Sequence, residues 1–276
     1  MYAMKFSIPV FPAALLVAFL VPPVQADQPI MNMMPRWNGG WGVQGLYEHT
    51  HNPRLLKGRR TVDADLEENI HRFHLEGVYT WSKELRVTLK VPFVLDAERE
   101  VMRNGERVVE RDQGIGDATL ALPIKRYFNE DGYSGSWSVV PQVRIPLDFE
   151  DDGYEVYDGQ WGNGLFLGYE VESTKHFLAT GVSGWTFYGD EESEFHGHLD
   201  LGRNFLDRGQ ALIETDFHAE NDGTRTLMTG PALYWRFTDV IHTRLEWKQA
   251  IYDDQGSGEA DHGDGSMLKA GIGFVF

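Results

Sequence analysis

Charged and imidazole side chains recur in this chain at every second position along stretches whose other positions are apolar. Arg86, Lys90, Asp117, Lys125, Arg144, Asp148, Glu214, Asp216, Arg244, Glu246 and Lys248 all occupy such positions. So do His74, Glu76, Gln142, Glu170, Asp200 and Lys269. Residues two apart share one face of a strand, so each stretch carries its charge on one side and its apolar groups on the other. Set around an enclosed space, charges of both signs make a polar path that orients a solute. Paired with one another across strands, the same charges would hold a filled interior together. Both readings stay open for any single residue.

A second chemistry belongs to histidine. His196-Gly197-His198 puts two imidazoles on one strand face beside Asp200, and His218 follows on the next strand with Glu214 and Asp216. Imidazoles and carboxylates at that spacing can take a divalent metal; the plainer reading is polar lining. His49-x-His51 and His71-x-x-His74 are weaker versions of the same pattern. Nucleophilic catalysis needs a serine beside a base that a third group orients. Ser193 near His196, and Ser183, are the available serines, and neither sits in a hydrolase motif. No catalytic residue is therefore named and no cofactor is expected. The chain has no cysteine, which excludes disulfides, thiolate metal sites and thiol catalysis.

The elements that must position these residues follow from a period of two. From Phe73 to Trp81 the odd positions read Phe, Leu, Gly, Tyr, Trp; from Leu85 to Leu95 they read Leu, Val, Leu, Val, Phe, Leu. Ser82-Lys83 between them makes this a hairpin with one apolar and one charged face. The pattern continues to the end of the chain, so no second layer is left to cover the apolar faces. A closed barrel in lipid resolves this: apolar groups meet acyl chains, polar ones face the lumen, and no edge remains. Twelve strands are expected, from Gly40 to Phe276, in an all-β, closed antiparallel transmembrane barrel. Short turns should alternate with long acidic loops, and both termini should lie on the short-turn, periplasmic side. The loops His51 to Glu68 and Asp96 to Gln113 are expected to fold inward. Trp81, Tyr127, Trp137, Phe149, Trp161, Tyr188, Phe237 and Tyr252 are expected as interfacial girdles. Ala118, Leu120, Leu122 and Ile124 should face out. Pro92, Pro123, Pro141 and Pro146 inside strands predict bulges or local mispairing.

Residues 1–26 read as an export signal: Lys5, an apolar run from Ile8 to Val21, and Val24-Gln25-Ala26 before Asp27. Residues 27–39 form a polar lead-in and residues 40–276 the barrel. The formal net charge of −17 becomes one unit more negative when Lys5 leaves, which disfavours nucleic acid as a partner. Mean hydropathy is negative and no later apolar run is long enough for a helical span. The acid-rich loops at Glu150-Asp151-Asp152, Asp190-Glu191-Glu192 and Asp253-Asp254 read as a solvated rim or as an electrostatic funnel.

Two resemblances add to this. The last residues, with Leu268, Ala270, Ile272, Phe274 and Phe276 on one parity, look like the signal that the barrel-assembly machinery reads in bacterial outer-membrane barrels. Gly114-Ile115-Gly116-Asp117, followed by alternation to Ile124, together with Glu76-Gly77-Val78-Tyr79, resembles the outer-membrane transporter family named for the meta-pathway of phenol degradation. That resemblance implies a pore for small organic compounds, aromatic ones among the candidates, and carries no binding residues over. The expectation is passive, selective passage of small solutes across the outer membrane, with lipid and lipopolysaccharide as surroundings. The alternatives are a non-conducting structural or surface barrel and, third, an outer-membrane lipid hydrolase.

Overall fold

The alternation closes on itself. A computed structural model describes residues 35, 37–130, 132–147, 154–157, 159–188, 193–256, 258 and 260–276. The expected export signal, Phe149 and the acidic runs at 150–152 and 190–192 lie outside these residues, as does Asp148.

The strands are β1 (Gly40–Asn52), β2 (Arg54–Lys57), β3 (Arg60–Asp63), β4 (Glu68–Ser82), β5 (Leu85–Arg103) and β6 (Glu106–Ile115). Then come β7 (Ala118–Ala121), β8 (Ile124–Glu130), β9 (Tyr133–Ile145), β10 (Trp161–Ser173), β11 (His176–Tyr188) and β12 (Ser193–Phe205). The last are β13 (Gly209–Glu220), β14 (Thr224–Arg236), β15 (Ile241–Gln255), β16 (Asp261–Gly263) and β17 (Ser266–Val275). β7 and β8 are one barrel strand broken at Leu122-Pro123, because Pro123 has no N–H to give the ladder. Counted so, twelve antiparallel strands form a meander, and β1 pairs with β17 to close it.

Each wall strand turns an apolar side chain outward. Leu75, Leu89, Leu120, Val139, Leu165, Val182, Leu199, Ile213, Leu233, Leu245 and Leu268 are exposed. The inward parity carries Gln44, Glu48, His74, Arg86, Ser136, Asp200, Glu214, Glu246 and Lys248, all buried. A polar inside and an apolar outside suit a barrel in lipid and no water-soluble sheet. Trp41, Trp81, Trp137, Trp161, Tyr188 and Phe237 project outward near strand ends. Tyr127 does not join them: it lies on the Lys125 parity of β8, and its hydroxyl accepts a hydrogen bond from Arg86 at 2.6 Å. Tyr252 lies under the Arg59 guanidinium, 4.8 Å from the ring centre. Ala118, opposite Ile145 at the start of β7, is buried although it shares the parity of exposed Leu120.

The long-loop end is more ordered than the sequence suggests. Residues 96–113, expected to fold inward, instead prolong β5 into a hairpin with β6. Asn104-Gly105 turns it with both φ angles positive, 54° and 83°, the geometry that pair of residues favours. Arg99 and Arg103 reach Glu110 across the hairpin, and Arg107 reaches Glu100, holding the Glu100 carboxyl below its usual range. Residues 51–68 carry a small second sheet: β2 pairs with β3 and with β16, joining the first loop to the last. Asp253 is buried there and accepts from the Asp264 N–H at 2.7 Å, so it belongs to the loop scaffold rather than to a solvated rim.

The inward segment is residues 154–157. Tyr154 packs on Ile70, Val94 and Ala97, with Val156 and Tyr157 beside them. The Tyr154 hydroxyl donates to Glu68 at 2.9 Å, and Arg99 lies 4.3 Å over its ring. Tyr157 lies against Gly116, where a Cβ would stand 2.3 Å from the ring.

Among the described residues β6 shares no ladder with β7, which pairs with β5 at Thr88 to Lys90 and with β9 at Gln142 to Ile145. Excising residues 99–110 behind a short turn should therefore leave a heat-modifiable folded barrel. Its unfolding free energy in urea should change by no more than about 1 kcal/mol per exposed ion pair lost. Loss of folding would show that the hairpin is part of the barrel's cooperative unit.

Candidate functional site

The lumen is built of two unlike halves. On the side from β12 through β17 to β4, the charges are paired. Lys248 stands between Glu214 at 2.8 Å and Asp216 at 2.6 Å. The Tyr234 hydroxyl bridges Glu214 at 2.9 Å and Glu246 at 2.8 Å, and Arg244 contacts Glu246 directly. Glu48 gathers Lys269 at 2.8 Å, Arg72 at 3.1 Å and His74 at 3.3 Å. Lys90 stands in the lumen with Glu76 at 3.9 Å. Register sets part of this: Glu48 faces Lys269 across β1 and β17 and Arg72 across β1 and β4, and Glu76 faces Lys90 across β4 and β5, whereas Asp200 faces a like charge, Glu214. Side chains directly opposite across a ladder are near enough to interact.

Arg86 belongs to the short-turn end. Its guanidinium donates to the Lys83 carbonyl at 3.2 Å and to Tyr127, so it clamps the β4–β5 turn to β8. Asp117 is buried under the break before β7. Phe274 lies on the outward parity of β17, and Phe276 exchanges two backbone hydrogen bonds with Trp41, at 2.6 and 2.8 Å.

The other half, from β8 to β12, holds a cavity of about 560 Å³. Lys125, Gln142, Arg144, Phe166, Trp185, His196 and His198 line it, with Ser183 and Val140. Lys125 pairs with Glu170 at 2.9 Å, and Ser136 donates to the same carboxylate at 2.7 Å. Arg144 is held more loosely. Its guanidinium lies 4.3 Å from the Phe187 ring centre and 5.4 Å from that of Trp185, and 3.8 Å from Glu194. Phe166 stacks on His198 at 5.5 Å.

Sequence reasoning missed the aromatic residues of this wall. β11 has no charge on either parity, so nothing in it marks an inside face. Its register against β12 decides: Gly181 faces His198 and Ser183 faces His196, which brings Phe177, Trp185 and Phe187 into the barrel. A signal does exist on β10. Gly162 and Gly164 lie opposite Phe187 and Trp185, and a Cβ at either would stand about 2.6 Å from a ring. The glycines are there because the rings lie over bare backbone.

At the long-loop end of the same half, the structure brings His196 and His218 together and leaves His198 out. The two rings stack at 4.5 Å, directly opposite in the β12–β13 ladder. The partner carboxylate is Glu194, 2.8 Å from His196 Nε2, rather than Glu214 or Asp216, which Lys248 holds. Glu194 shares the parity of His196 and could have been read from that spacing. Among the serines, Ser183 faces His196 in the ladder, but the hydrogen bond of the His196 ring runs to Glu194.

In fold, the chain is similar to an outer-membrane channel from Pseudomonas putida F1 known from its crystal structure. The TM-score is 0.71 at 15% identity, over 93% of this chain and 100% of that one. A KdgM porin in complex with disordered oligogalacturonate is a looser likeness, with a TM-score of 0.49 and 9% identity over 85% of this chain and 99% of the porin. No protein-family model matches the chain, and no curated protein sequence matches it. The resemblance at Gly114–Asp117 thus stands on its own residues, and the structural likeness is one of fold.

Replacing Lys248 with methionine would strand two carboxylates in the paired half. We expect a loss of about 3–5 kcal/mol in urea unfolding of the barrel in lipid vesicles. Adding Glu214→Gln and Asp216→Asn to Lys248→Met should recover most of it. An equal loss in the single and triple variants would mean that packing, not charge, sets the cost.

Proposed function

We propose that this protein is a passive channel of the bacterial outer membrane, with both termini in the periplasm, for small organic solutes that include aromatic compounds. The observation that carries the reading is the cavity between β8 and β12. It is large enough for a small organic molecule and combines aromatic faces with polar and cationic groups, the mixture that small-molecule sites present. The path would run along this half, because the other half is occupied by groups already paired. The Gly114–Asp117 resemblance to the phenol meta-pathway transporters supports the same solute class. Residues 154–157 would narrow the mouth on the long-loop side, and the loops there would face the cell exterior and its lipopolysaccharide. The C-terminal Phe274 and Phe276 would serve recognition by the assembly machinery.

Phe166 and Trp185, which line the cavity, suit planar, apolar parts of a solute, which stack on such rings at low entropic cost. Arg144 suits a polar or anionic substituent, since a guanidinium bonds in a planar fork and is weakly hydrated. Oriented passage of this kind needs no energy coupling.

Conductance of the refolded barrel in a planar lipid bilayer tests the reading. Discrete steps are expected, with Arg144→Ala shifting the reversal potential in a salt gradient toward cations. Trp185→Ala should raise unit conductance by about twofold or less, since removing one ring widens but does not create a path. A silent membrane, despite heat-modifiable folding on a gel, would overturn the channel and leave the non-conducting barrel.

A further inference from the structure

We propose that Glu194, His196 and His218 form a binding site for a borderline-soft divalent metal such as Zn²⁺ at the mouth of the lumen. The site goes beyond the channel reading and does not depend on it.

Three donor atoms, one each from Glu194, His196 and His218, lie within 4.8 Å of one another. The approach comes from two strands. His196 on β12 and His218 on β13 are direct ladder partners, so the backbone sets their rings side by side. Both Nε2 atoms converge on one oxygen of Glu194, His196 at 2.8 Å and His218 at 3.9 Å. The second distance is too long for a hydrogen bond, and His218 Nε2 is buried without one. The Glu194 oxygen at 2.8 and 3.9 Å from the two ring nitrogens, with all three donors within 4.8 Å, is close to the separation of ligands around a metal with bonds near 2.0–2.1 Å. Glu220, 3.6 Å from His218 Nε2, is within reach as a fourth donor.

The donor chemistry selects the ion. Imidazole nitrogen suits Zn²⁺, Ni²⁺ and Cu²⁺, whereas Ca²⁺ and Mg²⁺ prefer sets made only of oxygen. Few protein ligands leave coordination positions open to water or to a solute oxygen. Glu194 also faces Arg144, at 3.8 Å. A bound cation would take that carboxylate away from the guanidinium and leave Arg144 to the cavity. Metal and Arg144 thus compete for one carboxylate.

The test is isothermal titration of ZnCl₂ into the refolded barrel in detergent, with folding checked by heat-modifiable migration. Saturable binding is expected, weakened about tenfold or more by His196→Gln and by His218→Gln, since losing a ligand costs at least what losing an outer-shell partner does. His198→Gln should leave it unchanged, because that ring stacks on Phe166 outside the cluster. Arg144→Ala should tighten it several-fold by removing the competing cation. Absence of binding at millimolar Zn²⁺ would overturn the proposal. So would binding that persists in the His196→Gln/His218→Gln double variant, which would place the metal on the outward His49, His51 and His71. A conducting barrel that binds no zinc would refute the site alone, and a silent barrel that binds it would refute the channel alone.

Discussion

The ladder between the first and last barrel strands is the constraint on which the rest depends. In lipid no water is present to satisfy an open strand edge, and each unpaired backbone group costs several kcal/mol. β1 and β17 remove both edges at once, in continuous register from Gly42 opposite Val275 to His51 opposite Ser266. Phe276 and Trp41 extend the seam by their mutual backbone hydrogen bonds. Once the seam is closed, inside and outside differ absolutely. A one-residue slip anywhere would turn leucines into the lumen and glutamates into lipid. The burial of Glu48 beside outward Tyr47, and of Glu246 beside outward Leu245 and Trp247, shows how tightly the seam and the alternation specify each other.

The lumen divides by how its charges are satisfied. A buried lysine with two carboxylates under 3 Å away has exchanged its water for fixed partners, and so has Glu214, while Asp216 stays half open to solvent. Tyr234 strengthens this pairing by joining Glu214 to Glu246 through one hydroxyl, so that carboxylates of like sign share a partner instead of facing each other bare. The β8–β12 half reaches neutrality differently, with fewer charges and more ring surface. Its glycines on β10 lower the wall by a side chain's depth and let rings from β11 lie flat across it.

Much of the fold was legible because period two is a simple signal repeated twelve times. The turn chemistry was legible too, down to Asn104-Gly105, although the ladder that the turn served was not. Strands β5 and β6 carry alternating charges of both signs in this region, which reads equally well as a solvated loop. Residues 154–157 gave no hint of turning inward, since the tyrosines there follow an acidic run and have no periodic neighbours. In the site, parity placed the charged residues, and pairing could not be read because it depends on register between strands. Lys248 illustrates this: its face was evident from β15 alone, and its partners two strands away on β13 were not.

Arg144 shows why the distinction between the halves matters for function. A charge can serve a passing solute only if its resident partner can be exchanged at small cost. Arg144 rests on π faces and, among the described residues, stands 3.8 Å from the Glu194 carboxylate, beyond hydrogen-bond length. Cation–π contact holds a guanidinium without using its N–H donors, so they turn to a new acceptor more readily than donors already spent on a carboxylate. Lys248 has less freedom, since drawing it away would leave the buried Glu214 carboxylate without its cation. The pairing map therefore predicts the route more sharply than the count of lumen charges does. In the proposed channel, a solute would follow the cations that are cushioned by rings and pass by those that are locked between acids.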